Sequence, residues 1–261
     1  MRAVLKCLAF ALAVAFAGAA SAQDEATEAE KPLALDWSFD GPNGVYDRAA
    51  LQRGFQVYRE ICSSCHSLDY IAFRNLGDAG GPQLSPEAIE ALAAEYQIED
   101  GPDESGDMFD RPGRPSDYLP APYRNANEAR AVNGGALPPD LSVIVKARLG
   151  GADYVYSILT GYEDPPAGFE LAPGMYYNPY FNGRRIAMPV QLVEGIVTYM
   201  DGTEATVDRM GRDVVQFLTW ASEPKMEERK ALAKPVLIYI LIITILLYAS
   251  YKRIWRDVEH D

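Results

Sequence analysis

Histidine is almost missing from this chain, and cysteine is scarce. The 261 residues include two histidines, His66 and His260, and three cysteines, Cys7, Cys62 and Cys65. Basic residues are few as well, with 24 Lys and Arg against 37 Asp and Glu, a net charge of −13. That deficit disfavours nucleic acid as a partner and favours a basic protein; ordinary acidic solubility is the plainer reading. No basic residue occurs between Glu95 and Asp110. No internal repeat is present, so a solenoid or array is not indicated. Long apolar runs occur only at the two ends.

The N-terminal run reads as a secretory signal. Arg2 and Lys6 form its positive region, Leu8 to Phe16 its apolar core and Ala20-Ser21-Ala22 its small-residue cleavage site. The run is too short to favour an N-terminal membrane anchor. Residues 1–22 are therefore expected to be removed, leaving 22 basic and 37 acidic residues and a charge of −15. Cys7 departs with the signal. Cys62 and Cys65 remain, and in an exported protein a lone pair would ordinarily suggest a disulfide.

His66 changes that reading. Cys62-Ser63-Ser64-Cys65-His66 is the spacing of a c-type haem attachment site. Each thiol can add to one vinyl group of the porphyrin, and the adjacent imidazole then falls beneath the iron as its proximal ligand. A redox dithiol has no reason for the trailing histidine. One such motif implies one covalently attached haem c.

Around this motif the pattern is helical. Asp47 can cap a helix carrying Leu51, Phe55, Tyr58 and Cys62 at three- and four-residue spacing. Gly54 within it weakens the helix; it is either a simple tolerance or the point where another helix comes close. Residues 23–31 read as a loose acidic leader. Further helices are expected at Ser85–Tyr96, Asn127–Val132, Leu141–Leu149, Asp153–Thr160, Gln191–Tyr199 and Asp208–Ala221. Between the first two, residues 95–110 read as an acidic loop broken by Gly101, Pro102 and Gly106. It is either a solvated surface or a docking patch.

Pro235 to Tyr251 carries no formal charge over 17 residues, about 25 Å as helix. Extended by Ala231 to Ala233, it reads as a membrane span. Lys252, Arg253 and Arg256 directly after it place the tail in the cytoplasm. A buried soluble helix is the competing reading. The expected organisation is thus a signal over 1–22, an exported haem domain over 23–230, an anchor over 231–251 and a cytoplasmic tail over 252–261. His260 then lies across the membrane from His66 and cannot complete its coordination.

The second axial ligand must come from the exported side, and a methionine thioether is the usual partner of histidine in electron carriers. Met108, Met175, Met188, Met200, Met210 and Met226 are available. Met175 and Met188 sit in a long Tyr-, Pro- and Gly-rich loop. Met188 is favoured over Met175 because Pro189 stiffens the backbone beside it.

Several segments together resemble one family. They are Arg53 to Tyr58 leading into the haem motif, Asn133-Gly134-Gly135-Ala136-Leu137-Pro138-Pro139-Asp140-Leu141-Ser142, Lys146 to Val155, Leu159 to Tyr162, Tyr177 to Phe181, Ile186-Ala187-Met188-Pro189 and Asp201-Gly202-Thr203. With the C-terminal anchor they are similar to the cytochrome c1 family, in its alphaproteobacterial form, the haem c subunit of ubiquinol–cytochrome c oxidoreductase (complex III). The resemblance implies an all-α, class I cytochrome c-like domain with loop insertions and one C-terminal transmembrane helix. It implies Met188 as the axial ligand, Arg148 and Tyr154 near a haem propionate, and Pro139 among the haem-binding residues. Some bacterial members carry an extra disulfide near the methionine loop; with no cysteine for it, packing must hold that loop here. The implied role is a one-electron relay, not an enzyme by itself. Electrons come from a Rieske iron–sulfur protein and go to a soluble or membrane-bound c-type cytochrome. Cytochrome b is the implied membrane partner, in a dimeric complex at the bacterial inner membrane with the haem domain in the periplasm. An anchored shuttle cytochrome would share the haem and anchor without needing the Asn133–Ser142 segment. A haem enzyme or gas sensor would need an open iron position, against which a Met188 ligand argues.

Overall fold

A computed structural model describes residues 28–256. The expected signal over 1–22, the first residues of the expected leader and His260 lie outside the described residues.

Helix α1 spans Arg48–Glu60, with the Asp47 carboxylate accepting hydrogen bonds from the backbone N–H groups of Ala49 and Ala50. This satisfies donors that have no partner inside the helix. Its apolar face, Leu51, Phe55, Val57 and Tyr58, is buried. Helix α2 spans Pro86–Ala94 and is capped by Ser85, with proline at its first position. The short α3, Ala126–Val132, is capped by Asn125. Helix α4 spans Gly151–Thr160 and α5 spans Val207–Ser222, the latter capped by Thr206.

The core forms where α1 crosses α5. A Cβ added at Gly54 would lie 2.0 Å from the Asp213 carbonyl oxygen and 2.8 Å from Phe217 Cβ. Gly54 therefore lets two helix backbones meet, the closer-packing role that its position allowed. Phe217 fills the crossing, with ring centroids 5.5 Å from Phe55 and 5.8 Å from Tyr58. Beside it Arg53 grips Asp213 through two hydrogen bonds of 2.7 and 3.0 Å and reaches Asp201 at 3.0 Å. Burial pushes the Asp213 carboxyl up, and Arg53 opposes that rise. Helix α4 packs on α5 at Gly211, where a Cβ would meet Thr160 Cγ2 at 2.9 Å and Tyr156 Cε2 at 3.1 Å.

The N-terminal leader is not loose in its described part. Arg184 Nε donates to the Glu28 carbonyl, Glu30 N–H to the Pro179 carbonyl and Leu33 N–H to Ser157 Oγ. Trp37 Nε1 donates to Asp153 at 2.7 Å and its ring stacks on Phe39. These bonds strap the segment across α4.

Two expected helices do not form. Residues 141–149 make successive turns, with Ile144 N–H bonded to the Leu141 carbonyl and both Lys146 and Ala147 N–H bonded to the Val143 carbonyl. Val143, Ile144 and Val145 are consecutive β-branched residues, which lose side-chain freedom in a helix. Gly150 and Gly151, both at positive φ, end the segment. Residues 191–199 are also irregular. Gly195 adopts a φ of +73°, its N–H reaches the Ala205 carbonyl, and Gln56 Nε2 holds the Thr198 carbonyl at 2.9 Å. Tertiary bonds here replace those of a helix that Val193, Ile196, Val197 and Thr198 would have weakened.

The fold is mostly helical with a little strand. In place of a plain acidic loop, β1 (Gln97–Asp100) pairs antiparallel with β2 (Phe109–Pro112), Gln97 facing Pro112 and Asp100 facing Phe109. Arg111 bridges Asp100 and Asp117 across this hairpin. A second small ladder joins β3 (Tyr176–Tyr177) to β4 (Arg185–Ile186).

Helix α6 runs from Met226 to Ile254 over 29 residues and contains an 18-residue window of mean hydropathy 2.2. At the standard rise that is about 44 Å, long and apolar enough to cross a membrane. Its first turn is docked on the globular domain. Met226 is buried, Glu227 pairs with Arg48 at 2.5 Å and accepts from Tyr46 N–H at 2.8 Å, and Lys230 Nζ donates to the Phe39 carbonyl at 2.6 Å. Beyond Lys230 the side chains are exposed.

Two outcomes are expected. Gly54→Ala forces the α1–α5 crossing apart at a cost of about 3 kcal/mol, a fall of roughly 10 °C in Tm; an unchanged melting curve would show that the crossing can relax. A chain ending after Lys234 keeps the docked turn and is expected to be soluble with the melting temperature of the full chain. One ending after Pro224 loses Met226, Glu227 and Lys230 and is expected to melt lower, and equal melting of the two would remove any role for that turn.

Candidate haem site

The attachment motif begins where α1 ends. Cys62–Ser64 forms a single 3₁₀ turn, with the Cys65 and His66 N–H groups both bonded to the Cys62 carbonyl at 3.1 and 2.9 Å. The two intervening serines occupy orphan carbonyls of the helix end: Ser63 Oγ donates to Arg59 and Ser64 Oγ to Ile61. Both thiols are free. Burial, with the neighbouring Cys65 adding to it, pushes the Cys62 thiol up to about 12. Beneath the turn Tyr58 donates its hydroxyl proton to the His66 carbonyl at 3.2 Å.

The His66 ring is oriented by a distant segment. Its Nδ1 lies 2.8 Å from the Pro139 carbonyl oxygen, an acceptor only, so Nδ1 carries the proton and Nε2 keeps its lone pair. Burial lowers the His66 pKa, against smaller opposing effects from Pro139 and Asp140, and so favours the neutral imidazole. A neutral ring with Nε2 free is the state that ligates a metal. Two free thiols on one tight turn and an imidazole so held fit a covalently attached haem c.

Met188 belongs to a second group of contacts. It is half-buried, and its carbonyl accepts a 2.8 Å hydrogen bond from the Tyr162 hydroxyl at the end of α4. Burial pushes the Tyr162 phenol upward, so it stays a donor. The surrounding loop is held by packing. Met188 follows β4 by two residues; Asn178 is fully buried, donating to the Ile158 carbonyl and accepting from Tyr180 N–H. Phe169 meets Tyr177 edge-on, with Arg185 4.2 Å above its ring. Met175 sits just ahead of β3.

Cys62, Cys65, His66 and Pro139 therefore form one constellation. The hydrogen bonds at Met188 share no residue with those at His66. Arg148 is an exposed turn residue whose Nη1 donates to the Ala147 carbonyl. Tyr154 is half-buried against Gly150; burial raises its phenol pKa and the Arg148 charge opposes the rise, so the two lie within electrostatic reach. Sequence reasoning gave no individual role to Tyr58, Ser67, Asp140 or Tyr162. Asp140 and Tyr162 sat inside motifs, but only the folded chain shows what they bond.

Comparison with known proteins places this geometry in context. A model described as the Cytochrome C1 family matches residues 37–258. Cytochrome c1 of Rhodospirillum rubrum is 44% identical over 269 residues, covering 97% of each chain. A mitochondrial cytochrome c1 heme protein of Saccharomyces cerevisiae is 48% identical over 227 residues, 87% of this chain and 72% of the yeast protein. A Bradyrhizobium diazoefficiens protein named cytochrome b/c1 is 49% identical over 247 residues; the match takes in 87% of this chain but 36% of that longer protein.

Proposed function

The chain belongs to the cytochrome c1 family, and from that premise we propose that it is the haem c subunit of a ubiquinol–cytochrome c oxidoreductase. In this reading it takes single electrons from a Rieske iron–sulfur protein and passes them to a soluble c-type cytochrome. The observation that carries the proposal is the Cys62–His66 turn with its imidazole already oriented by Pro139. The joint name of the Bradyrhizobium relative supports cytochrome b as membrane partner. Helix α6 supports an anchored protein, with the haem domain on the periplasmic face and the basic residues Lys252, Arg253 and Arg256 on the cytoplasmic side.

Bound haem supplies a reversible one-electron iron couple. The chain's part is to hold, orient and shield it. Cys62 and Cys65 would tether the macrocycle through thioethers. His66 would hold the iron through Nε2, and the Pro139 carbonyl, which fixes the ring, would make it a stronger donor. Met188 is the proposed second donor, a soft thioether that favours the ferrous state. Tyr162 anchors the backbone at Met188, so that donor is positioned with little freedom to leave. Arg148 and Tyr154 are the proposed propionate contacts.

The acidic hairpin supplies a docking surface for a basic acceptor. Asp100 is engaged by Arg111, and Asp103 accepts the Ser105 and Asp107 N–H groups of the tip. Among the described residues, Glu99, Glu104, Asp107 and Asp110 pair with no cation and are exposed. These four are free to attract a partner, and complementary charge acts mainly on encounter rate.

Met188→Leu tests the ligand assignment. The covalent haem is expected to remain, the midpoint potential to fall by on the order of hundreds of millivolts, given that axial ligation spans about 0.8 V, and the reduced protein to bind carbon monoxide. Met175→Leu is expected to change none of these; the opposite pattern would transfer the ligand to Met175. For docking, electron transfer to a basic cytochrome is expected to slow as salt shortens the Debye length to about 10 Å at 0.1 M. Glu99→Gln, Glu104→Gln, Asp107→Asn and Asp110→Asn together are expected to flatten that dependence. A slope that survives the quadruple change would put the attractive surface elsewhere.

A further inference from the structure

The bond that orients His66 joins residues 73 apart in sequence. Pro139 is exposed and, as a proline, has no N–H with which to anchor itself. Its carbonyl can be held on the ring only by its neighbours. The residue after it supplies that hold. Asp140 Oδ2 accepts from Ser67 Oγ at 2.8 Å and from Asp69 N–H at 2.9 Å, while its Oδ1 accepts from Ser142 N–H at 2.9 Å. Two further bonds close the same seam, Leu141 N–H to the Ser67 carbonyl at 2.9 Å and Tyr70 N–H to Ser142 Oγ at 3.1 Å. Three of these five bonds end on one carboxylate. Four of the five tie the segment following His66 to the segment following Pro139, each within four residues of the imidazole or of its acceptor, and the Asp140–Ser142 bond is a local turn that fixes the carboxylate itself.

We infer that Asp140 is the positioning residue of the proximal imidazole. Its carboxylate clamps residues 67–69 to 140–142 and so sets the length and angle of the Nδ1–H···O=C bond between His66 and Pro139. That bond controls how much negative charge the ring can offer through Nε2. A short, straight bond makes the imidazole a stronger donor and favours ferric iron; a loosened one has the opposite effect. Charge-assisted acceptance makes a carboxylate the stronger clamp, and no neutral side chain of this shape accepts on both oxygens. The inference rests on the reading of His66 as the haem ligand.

The test uses the full chain, extracted from membranes in detergent with its haem attached. Asp140→Asn keeps the shape but turns one acceptor into a donor, and Ser67→Ala removes one arm of the clamp. Both variants are expected to shift the midpoint potential upward, Asp140→Asn more than Ser67→Ala, and to change the g values of the ferric electron paramagnetic resonance spectrum, which report ring orientation. A merely structural residue would lower Tm and leave potential and g values alone. Full haem content with wild-type potential and g values in Asp140→Asn overturns the inference. If Asp140→Asn accumulates no haem protein, Ser67→Ala decides, and wild-type values there overturn it equally. Pulsed resonance on the unmodified protein separates the two readings: absence of a coupled imidazole nitrogen at the iron would refute ligation by His66 itself.

Discussion

The approach of α1 to α5 at Gly54 is the constraint on which the rest depends. Two helix backbones touch there because one residue has no side chain, and the Asp213 carbonyl occupies the space that a Cβ would need. The contact brings Phe55, Tyr58 and Phe217 into one aromatic cluster. It also allows the Arg53 guanidinium to pair through Nε and Nη2 with both oxygens of Asp213, whose side chain is 2% exposed. Breaking such a buried pair costs about 3–5 kcal/mol, because the surviving charge is left without a partner. Since Tyr58 reaches the His66 carbonyl from the same helix face, the position of the haem turn is inherited from this crossing.

A carrier of single electrons benefits from a site that changes little between its two oxidation states. The hydrogen bonds here suit that demand. His66 is fixed by a backbone carbonyl, the haem turn by its own i→i+3 and i→i+4 bonds and two serine hydroxyls, and the Met188 carbonyl by the half-buried Tyr162 phenol. None of these partners needs to gain or lose a proton for the iron to change charge. The methionine loop reaches comparable order without a disulfide, through buried Asn178 and the stacking of Arg185, Phe169 and Tyr177.

The long apolar helix α6 is continuous with this scaffold. Glu223, between α5 and α6, receives Lys146 and Arg229, and Glu227 and Lys230 join the first turns of α6 to Arg48 and to the carbonyls of Phe39 and Gly44. The head domain therefore meets the base of its apolar helix through a bonded seam.

Much of this was legible along the chain. Cys62, Cys65 and His66 carry the spacing of a haem c attachment site in the sequence, and the fold sets them on one tight turn. The helices that begin after Asp47 and Ser85 follow from local donors and acceptors, and the uncharged run after Lys234 from length and polarity; the Thr206 cap of α5 was seen only in the structure. The segments at 141–149 and 191–199 misled because their composition suits a helix only weakly. There β-branched residues and glycines at positive φ left the outcome to tertiary bonds. Residues 97–112 became a hairpin because Arg111 holds Asp100 and Asp117 together across it. That His66 would find Pro139, that Asp140 would close the seam between them, and that Tyr162 would hold Met188 could not be read locally. Each bond joins residues tens of positions apart, and its geometry exists only in the folded chain.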